Sequence, residues 1–526
     1  MVYFKPLPYL VAIAIFMIAQ SANAVGFNDV PNAHFNAHHK LYPEVGTLNA
    51  MFTQGGSDLW LRARHEDVQE DRGGTPLAGT NDASLSSIRA QLGFTTARYK
   101  GFYLRGELEA AINLNDDALN LDDDFRIPPG PVGSRLAEGN AIIPDNDFGE
   151  VNEAYIGWRS GNNSSCGASP GAGFCDGKTS FKLGRQTIIY NNHRWVGDVI
   201  WRNNNVSMNA FRFDSSSIKN LNFSYSYVKK VKRLFGAGSL FDEWKFDDGH
   251  LINVSYTFPE IGTLTAYGYL LDFDDNRRTP PFQEGSGLPA GPGAVPPNAL
   301  DSDTWGARFV GTHEIGNVNL QTEFEWANQD PKGDEGENAM GVQVNTELDD
   351  NDYINIELGL NWGGTRVDNV GFLPVGEPSY QIRVGYEVLE GQGDGGNALQ
   401  TPLATVHAFN GWADVFVGAP GGSATPVGGL EDTSITFQVL GLFGDTIGKN
   451  KIVVAYHDYE ADKTFTGAGS SGRISDYGDE LNLLWGKPNI FGVKNLLGAI
   501  KYADYDADDF GVDTRKAWVL LQYRYK

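Results

Sequence analysis

Arginines and carboxylates fall on one side of alternating segments in this chain. In 57–66, Arg62 and Arg64 alternate with Leu61 and Ala63. In 101–113, Arg105, Glu107 and Glu109 alternate with Leu104, Leu108 and Ala110. The same phasing puts Arg89, Arg308, Arg383 and Arg524 on the polar side, together with Glu153, Glu323 and Glu325. Basic side chains ringed around a pore favour anions. Alternatively, Arg–Glu pairs on neighbouring strands brace the wall, and the two readings are compatible. Catalysis has no comparable signature: there is no G-x-S-x-G elbow, H-E-x-x-H pair, Walker loop or C-x-x-C pair. The chain therefore does not read as an enzyme.

A two-residue period belongs to strands, whose successive side chains point to opposite faces. Eighteen candidate strands follow: 57–66, 86–97, 101–113, 150–159, 179–188, 205–213, 219–229, 250–258, 262–273, 303–313, 317–327, 352–362, 380–389, 432–442, 450–459, 477–487, 493–505 and 514–525. Connections after odd strands are mostly long, as in 114–149, 230–249, 274–302, 328–351 and 390–431. Those after even strands are mostly tight, with 160–178 and 363–379 as exceptions. An even count with long loops at one end and short turns at the other predicts an all-β fold. The fold expected is a transmembrane antiparallel up-and-down β-barrel with long extracellular loops and short periplasmic turns. Aromatics make up 12% of the chain and glycines number 64, while no segment past the leader is a long uncharged apolar run. Helical membrane spans are thereby excluded, and a barrel that spreads its apolar residues over an outer face fits.

Lys5, the apolar run 9–19 and Ser21-Ala22-Asn23-Ala24 form a secretory leader over 1–24. Residues 25–56 read as a periplasmic segment and 57–526 as the barrel, placed in a bacterial outer membrane. His34, His38 and His39 in the tail read as solvated, with a metal role as the second reading. Cys166 and Cys175 lie in one Gly-rich connection, and an even count in an oxidising compartment predicts one disulfide. The net charge of −25 argues against nucleic acid as a partner. Its acidic clusters, such as Asp122-Asp123-Asp124 and Asp506 to Asp513, read as solvated loops, with bound Ca²⁺ as the alternative. No cofactor is otherwise expected.

Gly391-x-Gly393-x-x-Gly396 matches a dinucleotide fingerprint in form, but Leu399-Gln400-Thr401-Pro402 after it does not open a helix, so it reads as a loop. In 399–416, Leu403, Phe409, Trp412 and Phe416 are too apolar for a solvated loop. That stretch is expected either in the lumen as a constriction or lid, or packed against other loops. The chain ends in an amphipathic strand, 517–526, of the kind that barrel assembly machinery reads, with its aromatic Tyr525 penultimate.

Several segments resemble the alginate export family of outer-membrane barrels. They are Phe181-Lys182-Leu183-Gly184-Arg185-Gln186, Asn192-His193-Arg194-Trp195-Val196-Gly197, Trp201-Arg202-Asn203 and Tyr227-Val228-Lys229-Lys230-Val231-Lys232-Arg233. Segments 250–258, 266–275, 385–391 and 401–414 add to the likeness, which runs from about residue 57 to the C-terminus. The resemblance implies a monomeric 18-stranded barrel passing an anionic uronate polymer through a constriction lined by Arg and Lys. On matching positions it implies Arg185, Arg194 and Arg202 as pore or loop determinants. Strict alternation sets Arg185 outward with Phe181 and Leu183, so a lumen role needs a bulge or a position near the rim.

The pore-lining set expected from phasing and resemblance together is Arg62, Arg64, Arg89, Arg105, Glu107, Arg185, Arg194, Arg202, Arg308 and Arg383. The function expected is passive passage of an anionic polysaccharide or oligosaccharide. The alternative is a porin for small anionic or aromatic nutrients, which an open lumen without a constricting loop would favour. A structural barrel with functional acidic loops is the third reading.

Overall fold

The computed structural model describes residues 42–71, 82–115, 141, 143–160, 179–236, 243–273, 301–332, 349–363, 378–394, 397–417, 425–441, 450–466 and 472–525. The leader, the tail histidines, both cysteines and the two long even-strand connections lie outside the described residues. Eighteen strands run antiparallel around a closed barrel. They are β1 (Gly56–Glu70), β2 (Ala83–Thr95), β3 (Phe102–Asn113), β4 (Phe148–Arg159), β5 (Thr179–Gln186), β6 (Ser207–Ser215), β7 (Leu221–Lys232), β8 (Glu243–Phe258) and β9 (Gly262–Phe273). The second half comprises β10 (Ser302–Ile315), β11 (Val318–Pro331), β12 (Asn351–Gly363), β13 (Ser379–Leu389), β14 (Leu430–Leu440), β15 (Lys451–Thr466), β16 (Arg473–Pro488), β17 (Leu496–Ala507) and β18 (Thr514–Tyr525). Pairing of β1 with β18, from Leu59 opposite Tyr525 to Glu70 opposite Thr514, closes the barrel and leaves it without a sheet edge.

The alternation in sequence becomes two faces. On β12, Ile354, Ile356, Leu358, Leu360 and Trp362 are solvent-exposed in the isolated chain, while Tyr353 and Asn355 are buried. Neighbouring strands continue the outer band with Phe324, Trp326, Val384, Tyr386, Ile435 and Phe437. An apolar band around a closed barrel faces lipid, where an Arg at mid-depth would cost about 2–4 kcal/mol. A one-residue slip would move that band into the lumen, so the pattern pins the register.

Strands β8, β15 and β16 run past the expected limits, to Glu243, Thr466 and Arg473. Their extensions invert the membrane pattern: Trp244, Phe246, Phe465 and Ile474 are buried inside while polar residues such as Lys245 face out, and backbone pairing continues past register shifts. At the opposite end the turns are tight: Lys100 and Gly101 both take positive φ, as a two-residue hairpin requires. Residues 42–55 cap this end. Glu44–Val45 pairs parallel with Arg98–Tyr99, and α1 (Leu48–Thr53) follows, its N-cap Thr47 accepting from the Ala50 N–H at 3.1 Å. The Ala97 N–H donates to the Met51 carbonyl at 2.8 Å, fixing the helix to the hairpin.

Two connections turn inward: 187–206, between β5 and β6, and, between β13 and β14, the described residues 390–394, 397–417 and 425–429. Ile188, Trp195, Trp201, Leu399, Leu403, Trp412 and Phe416 join inward side chains such as Tyr267, Tyr353, Tyr459 and Trp518 in one buried cluster. The barrel's core is therefore made where loops meet wall. The 399–416 stretch enters the lumen, which is what its apolar content was for.

Candidate constriction

The two loops are joined to each other. The Gly197 N–H donates to the Leu403 carbonyl at 2.8 Å, and the Thr405 N–H to the His193 carbonyl at 3.1 Å. The Val199 N–H donates to Thr405 Oγ1 at 3.1 Å. Gly197 is required: a Cβ there would lie 2.1 Å from Thr405 Oγ1. The indole of Trp201 stacks on His407 with centroids 4.8 Å apart and planes at 6°.

One wall meets this pair of loops with cations. On β1, Arg62 donates to the carbonyls of Ile200 (3.1 Å), Trp201 (2.9 Å) and Arg202 (3.2 Å). Arg64 donates to the Trp201 carbonyl at 2.6 Å and pairs with Asp145 of the inward segment 143–147. Arg89, opposite Arg62 in register, holds Glu109 at 2.7 Å and Asn205 at 3.3 Å. From β17 and β18, Lys501 and Lys516 reach the other loop. Lys501 Nζ donates to His407 Nε2 at 2.5 Å and lies 3.9 Å from the centre of the Trp412 ring. Lys516 pairs with Asp414 at 3.2 Å. Arg202 spans wall and loop, on Glu66 at 3.1 Å and Asp414 at 2.9 Å.

The facing wall meets the loops with acceptors. Glu480 on β16 accepts from the N–H groups of Trp412 and Ala413. Asn410 donates to Glu387 at 2.6 Å and to Asp432 at 3.1 Å. Trp195 Nε1 donates to Glu325 at 2.9 Å, and Arg194 pairs with Glu387 at 2.9 Å while lying over Phe409. The lumen is thus crossed between a basic wall (β1, β2, β17, β18) and an acidic one (β11 to β16), and each holds loop groups of the opposite polarity.

The loops carry titratable groups of their own. Burial holds the His407 imidazole down to about 3 despite Asp414, so it accepts from Lys501 and donates to Asp414 Oδ1, 2.6 Å away. Burial pushes the Asp198 carboxyl up to about 6, against the hydrogen bond from the Ile200 N–H.

Every strand arginine expected in the lumen except Arg185 faces inward, and each of these is engaged. Arg105 gathers Asp58, Glu107 and Glu153, the last at 3.2 Å. Arg308 pairs with Glu323 at 2.6 Å. Arg383 pairs with Glu357 at 3.1 Å but leaves 44% of its side chain exposed. Arg185 corrects the expectation. It sits opposite Ala154 and Asn209, on the outer side shared with Leu183, which is 59% exposed. It donates to Asn209 Oδ1 at 3.0 Å and to the Val151 carbonyl at 2.9 Å, because β5 ends there without the bulge that would turn it inward.

Sequence reading missed Glu387, Asp432, Glu480, Lys501 and Lys516. The signal existed: with Leu481 and Leu483 outward, alternation puts Glu480 inward. It also missed that 187–206 is an inward loop, which Trp195, Val196, Ile200 and Trp201 foreshadow.

No family model matches the chain, and no curated protein does. Solved structures do. OccK9 (OpdG) of Pseudomonas aeruginosa is 12% identical, with 90% of this chain and 99% of that chain covered at a TM-score of 0.58. OpdQ of the same organism is 12% identical, covering 91% and 99% at 0.56. The P. aeruginosa outer membrane protein OpdK is 11% identical, covering 90% and 99% at 0.57, and has also been solved with vanillate. The likeness is one of fold, and that fold, with its lipid-facing band, is the bacterial outer-membrane barrel.

Proposed function

We propose that this chain is a monomeric outer-membrane porin, not an enzyme, that passes small anionic or aromatic solutes across a constriction made by residues 187–206 and 397–417. The observation that carries the reading is the loop pair crossing the lumen between a basic and an acidic wall. Barrels of 16–18 strands leave an aqueous channel unless something narrows it. An inward loop therefore gives size selection, which runs opposite to expecting an open lumen for a small-solute porin. Opposed charged walls orient a small dipolar or anionic solute, and weak multi-site contacts let it leave. Vanillate, bound in the OpdK structure, is a solute of this class.

Passage of an anionic polysaccharide, as the alginate-export resemblance implies, is the second reading. It keeps the arginines as counter-ions for a polymer. Against it, Arg62, Arg64 and Arg202 are already bonded to loops, and a hydrated chain would have to displace them.

Single-channel recording in a planar bilayer across a KCl gradient separates the two. The porin reading expects anion selectivity, with conductance changed by a small aromatic carboxylate and indifferent to oligouronate. Block by oligouronate alone would restore the polymer reading. Cation selectivity would overturn both.

A further inference from the structure

Between the constriction and the tight-turn end lies a cavity of 570 Å³, walled by β1 to β8 and β18 and roofed by loop 187–206. Its aromatic lining includes Trp60, Tyr103, Tyr155, Tyr190 and Phe223. Tyr103 and Tyr155 meet edge to face with centroids 6.1 Å apart. Tyr103 can lie flat along the wall because position 157 is glycine: a Cβ there would lie 2.3 Å from the Tyr103 ring.

The charges of this chamber are unevenly committed. Asp58, Glu107 and Glu153 all belong to Arg105. Arg212 holds Asp214 with Nε at 2.9 Å and lies 5.3 Å from the centre of the Tyr190 ring. Lys182 stands directly opposite Arg212 in the β5–β6 register. Two cations facing each other across a strand pair repel. Only one of them has Asp214. Among the described residues Lys182 has no carboxylate within ion-pair distance and no hydrogen bond; its ammonium lies 5.1 Å from the centre of the Tyr155 ring. A half-buried ammonium over the Tyr155 ring, opposite a second cation and in a cavity lined by further tyrosines, is a seat for an anion.

We propose that this chamber is a binding subsite for a small ring acid, one six-membered ring bearing one carboxylate, with Lys182 taking the carboxylate and Tyr103, Tyr155 and Tyr190 contacting the ring. The cavity volume suits one or two rings, not a polymer. Tyrosine faces accept either an aromatic ring or the C–H face of a sugar ring, so benzoate and glucuronate share the recognised chemistry. The inference rests on the small-anion porin reading and deepens it: solutes pass the constriction and pause here before release.

The test is block of single-channel current in the full barrel, with benzoate, glucuronate or acetate titrated from the tight-turn side. Wild type, Lys182→Met, Lys182→Arg and, as a control away from the cavity, Lys245→Met are compared; the Lys245 side chain is 57% exposed. A ring acid is expected to block wild type more strongly than acetate. Lys182→Met should weaken that block about tenfold, equivalent to about 1.4 kcal/mol. Lys182→Arg should retain it, and Lys245→Met should leave it unchanged. Block by benzoate assigns an aromatic acid, and block by glucuronate a uronate. Anion conductance with block that ignores Lys182, or with acetate equal to both ring acids, overturns the subsite alone. A cation-selective wild-type channel overturns the porin reading as well.

Discussion

The basic and acidic walls hold the same pair of loops by opposite means. On the basic side, Arg62 gathers three backbone carbonyls of 200–202, and Arg64 shares one of them. On the acidic side, Glu480 gathers the backbone N–H groups of 412 and 413. A loop that leaves a sheet exposes both kinds of backbone group, and buried ones must be paired. Each wall supplies the complement that its loop lacks. The inward charges are therefore construction first, and the field they leave across the lumen is what a solute meets.

Breaking the acidic side should cost most. Glu480 is fully buried, and Glu480→Ala strands the N–H groups of Trp412 and Ala413. The loss should be about 2–5 kcal/mol. It is read as a lowered thermal unfolding midpoint in detergent and as larger, noisier single-channel currents once 399–417 detaches. Glu480→Gln keeps one acceptor oxygen and should lose less. Equal stability of the alanine variant and wild type would mean that the loop is held from the basic side alone.

Arg62→Ala tests that side. It leaves the carbonyls of Ile200 and Arg202 without their guanidinium, Trp201 keeping Arg64, and should cost about 2–3 kcal/mol, with reduced anion selectivity in the reversal potential. Arg62→Lys keeps the charge but cannot span three carbonyls. If lysine restores selectivity without restoring stability, the field and the bracing are separable functions of one residue.

These two residues also mark how far the sequence could be read. Arg62 was found because Leu61 and Ala63 set a clean alternation beside it. Glu480 obeys the same rule beside Leu481 within the expected strand 477–487, yet Asp479 on its other side blurs the alternation that marks it as inward. The barrel, its eighteen strands and its lipid-facing side follow from a local period of two. The constriction does not. It depends on pairings such as Gly197 with Leu403, some two hundred residues apart, which no local pattern encodes. Arg185 shows the reverse case: alternation alone placed it outward, and its family resemblance pulled it toward the pore.

Gly197→Ala attacks the seam between the loops, belonging to neither wall. A Cβ 2.1 Å from Thr405 Oγ1 must push the loops apart. Overpacking of this kind should cost about 1–2 kcal/mol. The expected readout is flicker between two conductance levels with ion selectivity unchanged, since no charge moves. Altered selectivity with steady current would mean that the seam shapes the field and not the aperture.

The smallest effect sharpens the comparison most finely, because it changes one charge without removing an atom from the wall. Asp198 lies on loop 187–206, facing the cavity below, and its carboxyl is raised by burial to about 6. Below that value it is neutral; above it the lumen gains one negative charge on the basic side. Anion preference should therefore rise as pH falls through 6. His193, 3.7 Å from Asp198, is held by burial at about 3 and stays neutral through the same window. Asp198→Asn removes the ionisation and should flatten the step in reversal potential while raising anion preference above pH 6 to the acid-side value. A step that persists in the asparagine variant would belong to the carboxylates of the acidic wall, and the two walls would then exchange their roles in setting selectivity.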